Sequence, residues 1–240
     1  MNHPQLNHAQ LNHTHMHTPH AIGIILPSSN RVVERVTRSI LDALPGIDAC
    51  FTRVPYAGHP PDGYDMASFR QAAAMLAQAR PDVILWNATR GALIGFEPDR
   101  RLASALERET GIPCTTTALA TVDYLTRHGL RRIGLVAQGD DRDGQRLKET
   151  FGREGIEIVV GHNLGIQDNF EAARVTPEEI EDHAQRLAAA ACLDAILVWS
   201  TNLAGHRLTN RRRGGLPIPV LDSAAVGIWQ ALPYVTTAKA

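Results

Sequence analysis

Ser200, Thr201 and Asn202 follow a strand-like apolar run and stand where a helix begins. Similar polar clusters occur at Ser28-Ser29-Asn30, Asn87-Ala88-Thr89 and Thr115-Thr116-Thr117. Hydroxyl and amide side chains at such points cap the free N–H groups of a helix. The same helix ends, with their positive dipole, hold small anions. One cap per helix explains one such residue; consecutive ones exceed that need and favour a small carboxylate ligand. Ser200 also sits at a strand-to-helix turn, as a hydrolase nucleophile does, but its neighbours Trp199, Thr201 and Asn202 lack the glycines of a nucleophile elbow.

Other chemistries fail at their defining residues. No G-x-G-x-x-G follows the first strand, where Pro27-Ser28-Ser29-Asn30 stands, and no G-x-x-x-x-G-K-[ST] occurs. No H-E-x-x-H or comparable ligand spacing exists after residue 20, so no metal site is expected there. Cys50, Cys114 and Cys192 are far apart and form no C-x-x-C, which fits a reducing compartment better than a disulfide scaffold. Arg53, His59, His162 and His206 are single candidates for an added charge or a base; solvated surface is the commoner role for each.

These residues need a frame, and the composition permits one. With 44% hydrophobic and 20% charged residues, the 240-residue chain can build a core. A net charge of -1 gives no whole-protein field for nucleic acid or anionic membrane. The short run Arg211-Arg212-Arg213 reads as solvated surface. No apolar run approaches the roughly 18 residues of a membrane span, and the N-terminus lacks a signal-peptide profile. The expectation is a soluble cytoplasmic protein. Residues 1–20 hold six of the eleven histidines and repeat Gln-Leu-Asn-His. They offer almost nothing to bury, so a disordered His-rich tail with incidental metal affinity is expected.

From residue 21 onward, short β-rich runs alternate with amphipathic helices. Helices are expected over 66–79, 98–110 and 118–128, the last two closed by Gly111 and Gly129. Thr176-Pro177-Glu178-Glu179 reads as a capping box opening another. Strands are expected at 21–26, 82–86, 112–115, 132–137, 194–198 and 218–221, and strands separated by helices imply parallel sheets. The pattern also repeats. Ile22-Gly23-Ile24-Ile25 returns as Ile133-Gly134-Leu135-Val136, and Asp82-Val83-Ile84-Leu85 as Asp194-Ala195-Ile196-Leu197, at almost equal offsets. Gly111-Ile112-Pro113 is echoed by Pro217-Ile218-Pro219 at a shorter one.

Two pseudo-symmetric, Rossmann-like α/β halves are therefore expected, residues 21–117 plus 217–240 and residues 118–216. Ligands of open α/β sheets lie beyond the carboxyl ends of the strands, which places the site in the cleft between the halves. The segments expected to line it are 27–30, 87–91, 115–117, 138–141 and 200–202.

Duplicated α/β halves around a polar cleft resemble the Asp/Glu racemase superfamily. Pro27-Ser28-Ser29-Asn30, Thr115-Thr116-Thr117, Asp168-Asn169-Phe170 and Ser200-Thr201-Asn202-Leu203 look like its maleate cis–trans isomerase branch, which includes the arylmalonate decarboxylases. The resemblance implies cofactor-independent chemistry on a small dicarboxylate or related carboxylic acid, and a homodimer. It also implies two catalytic cysteines, one at a strand end of each half, and a tyrosine. Placed on this chain, the cysteine positions fall on Ala88 and Ser200 and the tyrosine on Gly139. The remaining matches, Ser28, Asn30, Thr89, Thr116, Thr117, Asn169, Thr201 and Asn202, are the substrate-binding residues the resemblance implies.

A thiol ionises near neutral pH and a serine hydroxyl does not without an adjacent base. Isomerase or decarboxylase chemistry is thus expected to be altered or lost. The alternative is a non-catalytic carboxylate-binding sensor or partner protein. A third reading is a periplasmic-type sugar-binding domain, from the likeness of residues 124–158 to regulatory proteins of that kind. An aromatic content of 5% is poor for stacking sugars.

Overall fold

The computed structural model describes residues 20–55, 63–89, 91–209, 216 and 218–236. The expected tail at 1–19, His59 and the basic run 211–213 lie outside the described residues. Histidine 20 does not belong to a tail: it opens the first strand, where its Nδ1 lies 3.3 Å from Asp82 Oδ2.

Two four-stranded parallel sheets form the frame. The first contains β1 (His20–Pro27), β2 (Ile47–Val54), β3 (Val83–Trp86) and β4 (Cys114–Thr116), in the order β2-β1-β3-β4. The second contains β5 (Arg132–Ala137), β6 (Glu157–Asn163), β7 (Ala195–Trp199) and β8 (Val220–Asp222), in the order β6-β5-β7-β8. The register repeats as well: Ile22 pairs with Val83 in the first sheet, and Ile133 with Ala195 in the second.

The helices of the first half are α1 (Val33–Leu41), α2 (Met66–Gln78), α3 (Gly91–Ile94) and α4 (Glu97–Thr110). After α5 (Thr117–Arg127) come α6 (Asp141–Arg153), α7 (Asn169–Ala172), α8 (Pro177–Ala190), α9 (His206–Thr209) and α10 (Ser223–Thr236). Both faces of each sheet are covered, which is why the strands read as nearly continuous apolar runs. In β1, Ile22 and Ile24 pack with Ala224 and Ile228 of α10, while Ile25 faces Phe69 and Leu76 of α2. In the second sheet, Ile133 and Leu135 pack with Ala118 and Leu125 of α5, while Val136 faces Ile180 and Ala184 of α8. The expected capping box at Thr176 and Glu179 is present.

One boundary is corrected. Residues 217–240 were expected to return to the first half, but β8 pairs with β7 and completes the second sheet. Only α10 goes back, to cover β1 and β3. In the same way α5 leaves the first half and covers the second sheet. The echo at Pro217-Ile218-Pro219 therefore marks β8 as the counterpart of β4. Among the described residues, no helix is long and apolar enough to cross a membrane.

Candidate functional site

The carboxyl ends of both sheets open on one cleft of about 150 Å3. Ala88, just beyond β3, and Ser200, just beyond β7, both line it. The repeat brings them there, since the loops after equivalent strands must meet wherever two such halves face each other. The wall from the first half is aromatic: Tyr64, Phe69 and Trp86 meet edge to face, with ring centroids 4.8 to 6.2 Å apart. Tyr64 is held by a 2.7 Å hydrogen bond from its hydroxyl to Asp99 Oδ2.

The second half contributes a chain of hydrogen bonds. Ser200 Oγ–H donates to Gln138 Oε1 at 2.6 Å, and Ser200 Oγ accepts from the Asn202 N–H at 3.1 Å. Gln138 Nε2 donates to Asn169 Oδ1, and Asn169 Nδ2 donates to Ser29 Oγ in the first half. Gln138 was not singled out from the sequence, although the segment 138–141 was. The signal was its place: the repeat offset aligns it with Pro27, at the end of the equivalent strand. Buried side-chain networks of this kind fix orientation because each lost partner leaves an unsatisfied group.

The other expected site residues divide into two groups. Thr89, Gly139, Asn169, Thr201 and Asn202 line the cleft, with Ala88 and Ser200. Ser28, Asn30, Thr116 and Thr117 do not, and the expectation that residues 115–117 form part of the wall is corrected. Thr116 caps α5 by accepting from the Leu119 N–H. Thr117 Oγ1 donates to Asn87 Oδ1, beneath α10. Both hydroxyls are spent inside the fold, so consecutive threonines are explained here without a ligand. Asn30 Oδ1 accepts from Val32 N and Val33 N, while its Nδ2 reaches Thr201 O and Oγ1 across the seam between halves. Ser28 is exposed, and its carbonyl accepts from Arg53.

Arg53 is neither a ligand arm nor free in solvent. It lies within β2, and its Nη1 donates to the carbonyls of Pro27, Ser28 and Asn30. Its Nη2 meets Glu34 Oε1 at 2.6 Å, so it braces the loop that carries Asn30. His162 stacks on His183 with ring centroids 3.9 Å apart, away from the cleft. His206 is buried in α9, and burial lowers its pKa, with Arg35 and Arg207 adding to the shift.

None of the three cysteines lines the cleft. Cys50 and Cys114 lie half-buried in β2 and β4, and burial pushes the Cys114 thiol up to about 12. Cys192 is exposed. At Gly139, where the resemblance implies a tyrosine, the Asp143 carboxylate occupies the room left by the missing side chain: a Cβ added to Gly139 would overlap it.

Residues 58–240 match the model of the arylmalonate decarboxylase family. The chain is 26% identical over 215 residues to the arylmalonate decarboxylase of Bordetella bronchiseptica, covering 88% of each chain. It is 25% identical over 228 residues to the maleate isomerase of Alcaligenes faecalis, covering 89% of this chain and 90% of that one. A double mutant of arylmalonate decarboxylase in its liganded form superposes with a TM-score of 0.77 at 26% identity, over 92% of this chain and 94% of that one. A Nocardia farcinica maleate cis–trans isomerase mutant with a covalently bound succinylcysteine intermediate gives a TM-score of 0.79 at 24% identity, over 90% and 93%, a likeness of fold.

Proposed function

This chain belongs to the arylmalonate decarboxylase family, within the Asp/Glu racemase superfamily, and from that premise we propose that it binds a small dicarboxylate or related carboxylic acid in the cleft between its halves without thiol chemistry. The relatives are named for acids with two carboxylates, a malonate and maleate. The Nocardia enzyme carries its intermediate on a cysteine. In this chain the strand ends at the cleft carry Ala88 and Ser200 instead.

The observation that carries the reading is the hydrogen bond from Ser200 Oγ to Gln138 Oε1. A serine nucleophile needs a base to take its proton. An amide oxygen accepts a hydrogen bond but does not take up a proton near neutral pH. Ser200 is thereby held as a fixed polar contact for a ligand, and Ala88 has no group to react. A cytoplasmic homodimer that needs no cofactor completes the proposal, with no nucleic-acid or membrane partner. Sedimentation checks the dimer.

A thermal-shift series on the purified chain tests the ligand class, with maleate, phenylmalonate, malonate and glucose as probes. Stabilisation by the acids and not by glucose is the expected result; the reverse pattern would favour the sugar-binding reading. A parallel assay for carbon dioxide release from phenylmalonate should stay at background. Turnover by the unaltered chain would show that another residue returns the proton. Ala88→Cys and Ser200→Cys belong together in the same experiment, because residues that act as a unit are not additive.

A further inference from the structure

Four side chains between the cleft and the opposite half hydrogen-bond head to tail. Ser200 donates to Gln138, Gln138 to Asn169, and Asn169 to Ser29. Every donor points the same way, from the second half toward the first. Ser200, Gln138 and Asn169 line the cleft, whereas Ser29 does not. No other side-chain hydrogen bond among the described residues holds either amide. Both links in the middle are neutral, each with an oxygen that accepts and an NH2 group of nearly the same shape that donates.

Such a chain has a second arrangement in which no bond is lost. Turning both amides by half a turn brings Gln138 Nε2 to Ser200 Oγ and Asn169 Nδ2 to Gln138 Oε1. The Ser29 hydroxyl, an acceptor before, then donates to Asn169 Oδ1. Turning one amide alone sets oxygen against oxygen, or N–H against N–H, between Gln138 and Asn169. The two therefore turn together. The Ser200 oxygen keeps its place and its bond from the Asn202 N–H. What changes is the one position left to it: a lone pair in the arrangement observed, a proton in the turned one.

We propose that Gln138 is a positioning residue that decides whether Ser200 gives or takes a hydrogen bond in the cleft, and that Asn169 and Ser29 couple this choice to the contact between the halves. The inference rests on the carboxylate-binding reading, since an acid oxygen beside Ser200 needs a donor there. Such a ligand binds the turned arrangement better and so selects it; a ligand with equal affinity for both would shift nothing. Ser29, at the far end of the chain, then governs affinity from outside the cleft.

Calorimetric titration of the full chain with maleate at neutral pH tests this through Ser29. Ser29→Asp puts an acceptor with no proton at the end of the chain, which holds the observed arrangement. It should weaken maleate binding about tenfold or more. In a Gln138→Met background, where the chain is cut, the same substitution should cost about threefold or less, the through-space effect of its charge. Ser29→Thr keeps the hydroxyl and should keep the affinity, and unliganded melting curves show that each variant folds. Nuclear magnetic resonance of the unaltered chain reads the turn itself: the side-chain amide signals of Gln138 and Asn169 should move together, with one maleate midpoint. An equal effect of Ser29→Asp in both backgrounds overturns the proposal, as does an Asn169 amide signal that stays still while maleate binds. Maleate bound without that coupling sinks this proposal and leaves the carboxylate reading standing; no binding by maleate or phenylmalonate sinks both.

Discussion

The halves share strand order and register, yet the two seams that close the cleft differ in kind. On one side the loop after β1 crosses over by hydrogen bonds. Asn30 Nδ2 reaches Thr201, and the Arg31 N–H reaches Asn202 Oδ1. On the other side α3 lies against α6 and the contact is apolar: Ala92 and Phe96 join Leu147 and Phe151, and the rings of Phe96 and Phe151 meet edge to face at 5.3 Å. Hydrophobic contact is non-directional and scales with area, whereas hydrogen bonds fix angle and distance. The apolar seam holds the halves together, and the polar seam sets where Thr201 and Asn202 stand in the cleft. Duplication supplied equal frames; the contacts between them then specialised.

The largest effect expected from testing that division is at the apolar seam. Phe151→Ala should cost about 4 kcal/mol in denaturant unfolding, the scale for deleting a fully buried ring. A loss near 1 kcal/mol would mean that the seam contributes little area.

The helix starts that follow β4 and β8 sharpen the comparison next. Thr116 caps α5 through the Leu119 N–H, and at the matching place Asp222 accepts from Ala225 N at the start of α10. A threonine stays neutral, whereas Asp222 is fully buried and its pKa is pushed up to about 7. Burial is the main cause, opposed by the backbone N–H groups of Ala225, Gly205, Ala224 and His206, of which Ala225 N–H makes a full hydrogen bond. Asp222→Ala should cost about 3 kcal/mol by removing the helix cap and the acceptor that those buried N–H groups face. The raised pKa also has a sign. The carboxyl's contribution to stability is complete below its unfolded value of about 3.8 and is lost as pH rises toward about 7. His206, with its lowered pKa, works against this, because its contribution is lost as pH falls through the same region. Asp222→Asn isolates the acid, and stability measured from pH 4 to 7 should fall less in the variant. Equal slopes would place the titration elsewhere.

Asn30→Ala comes third, at about 2 kcal/mol for lost hydrogen bonds in a buried seam. Because it releases Thr201, it should also weaken binding of whichever acid the cleft takes; unchanged affinity would refute the positioning role. Thr116→Ala is the smallest, at about 1 kcal/mol for a lost cap, and its cost should be independent of pH between 4 and 7.

Much of the frame was legible in the sequence because it rests on local rules. Gly111 and Gly129 adopt positive φ where helices were expected to end, and equal offsets foretold equal registers. Assignment of β8 to the first half failed because a three-residue strand carries no label for its sheet; the Pro217-Ile218-Pro219 echo was the better guide. In the site, residues at the strand ends were found because the repeat places them. Gln138 and Asp143 were not singled out, since their roles depend on what lies opposite them and on the side chain missing at Gly139. Thr116 and Thr117 misled for the same reason: their partners, α5 and Asn87, lie inside the fold.

The exchange of α5 and α10 bears on how the chain acquires its structure. Strand β1 and the helix that covers it stand at opposite ends of the described chain. The first sheet therefore emerges from the ribosome early and has only α1 on one apolar face until α10 has been made. Such distant pairings carry a loop-closure cost before they return any stability. The first half cannot close its core without α10, and a ribosome paused after β8 would hold a chain with part of that first sheet open, recognisable by its exposure to proteases and chaperones.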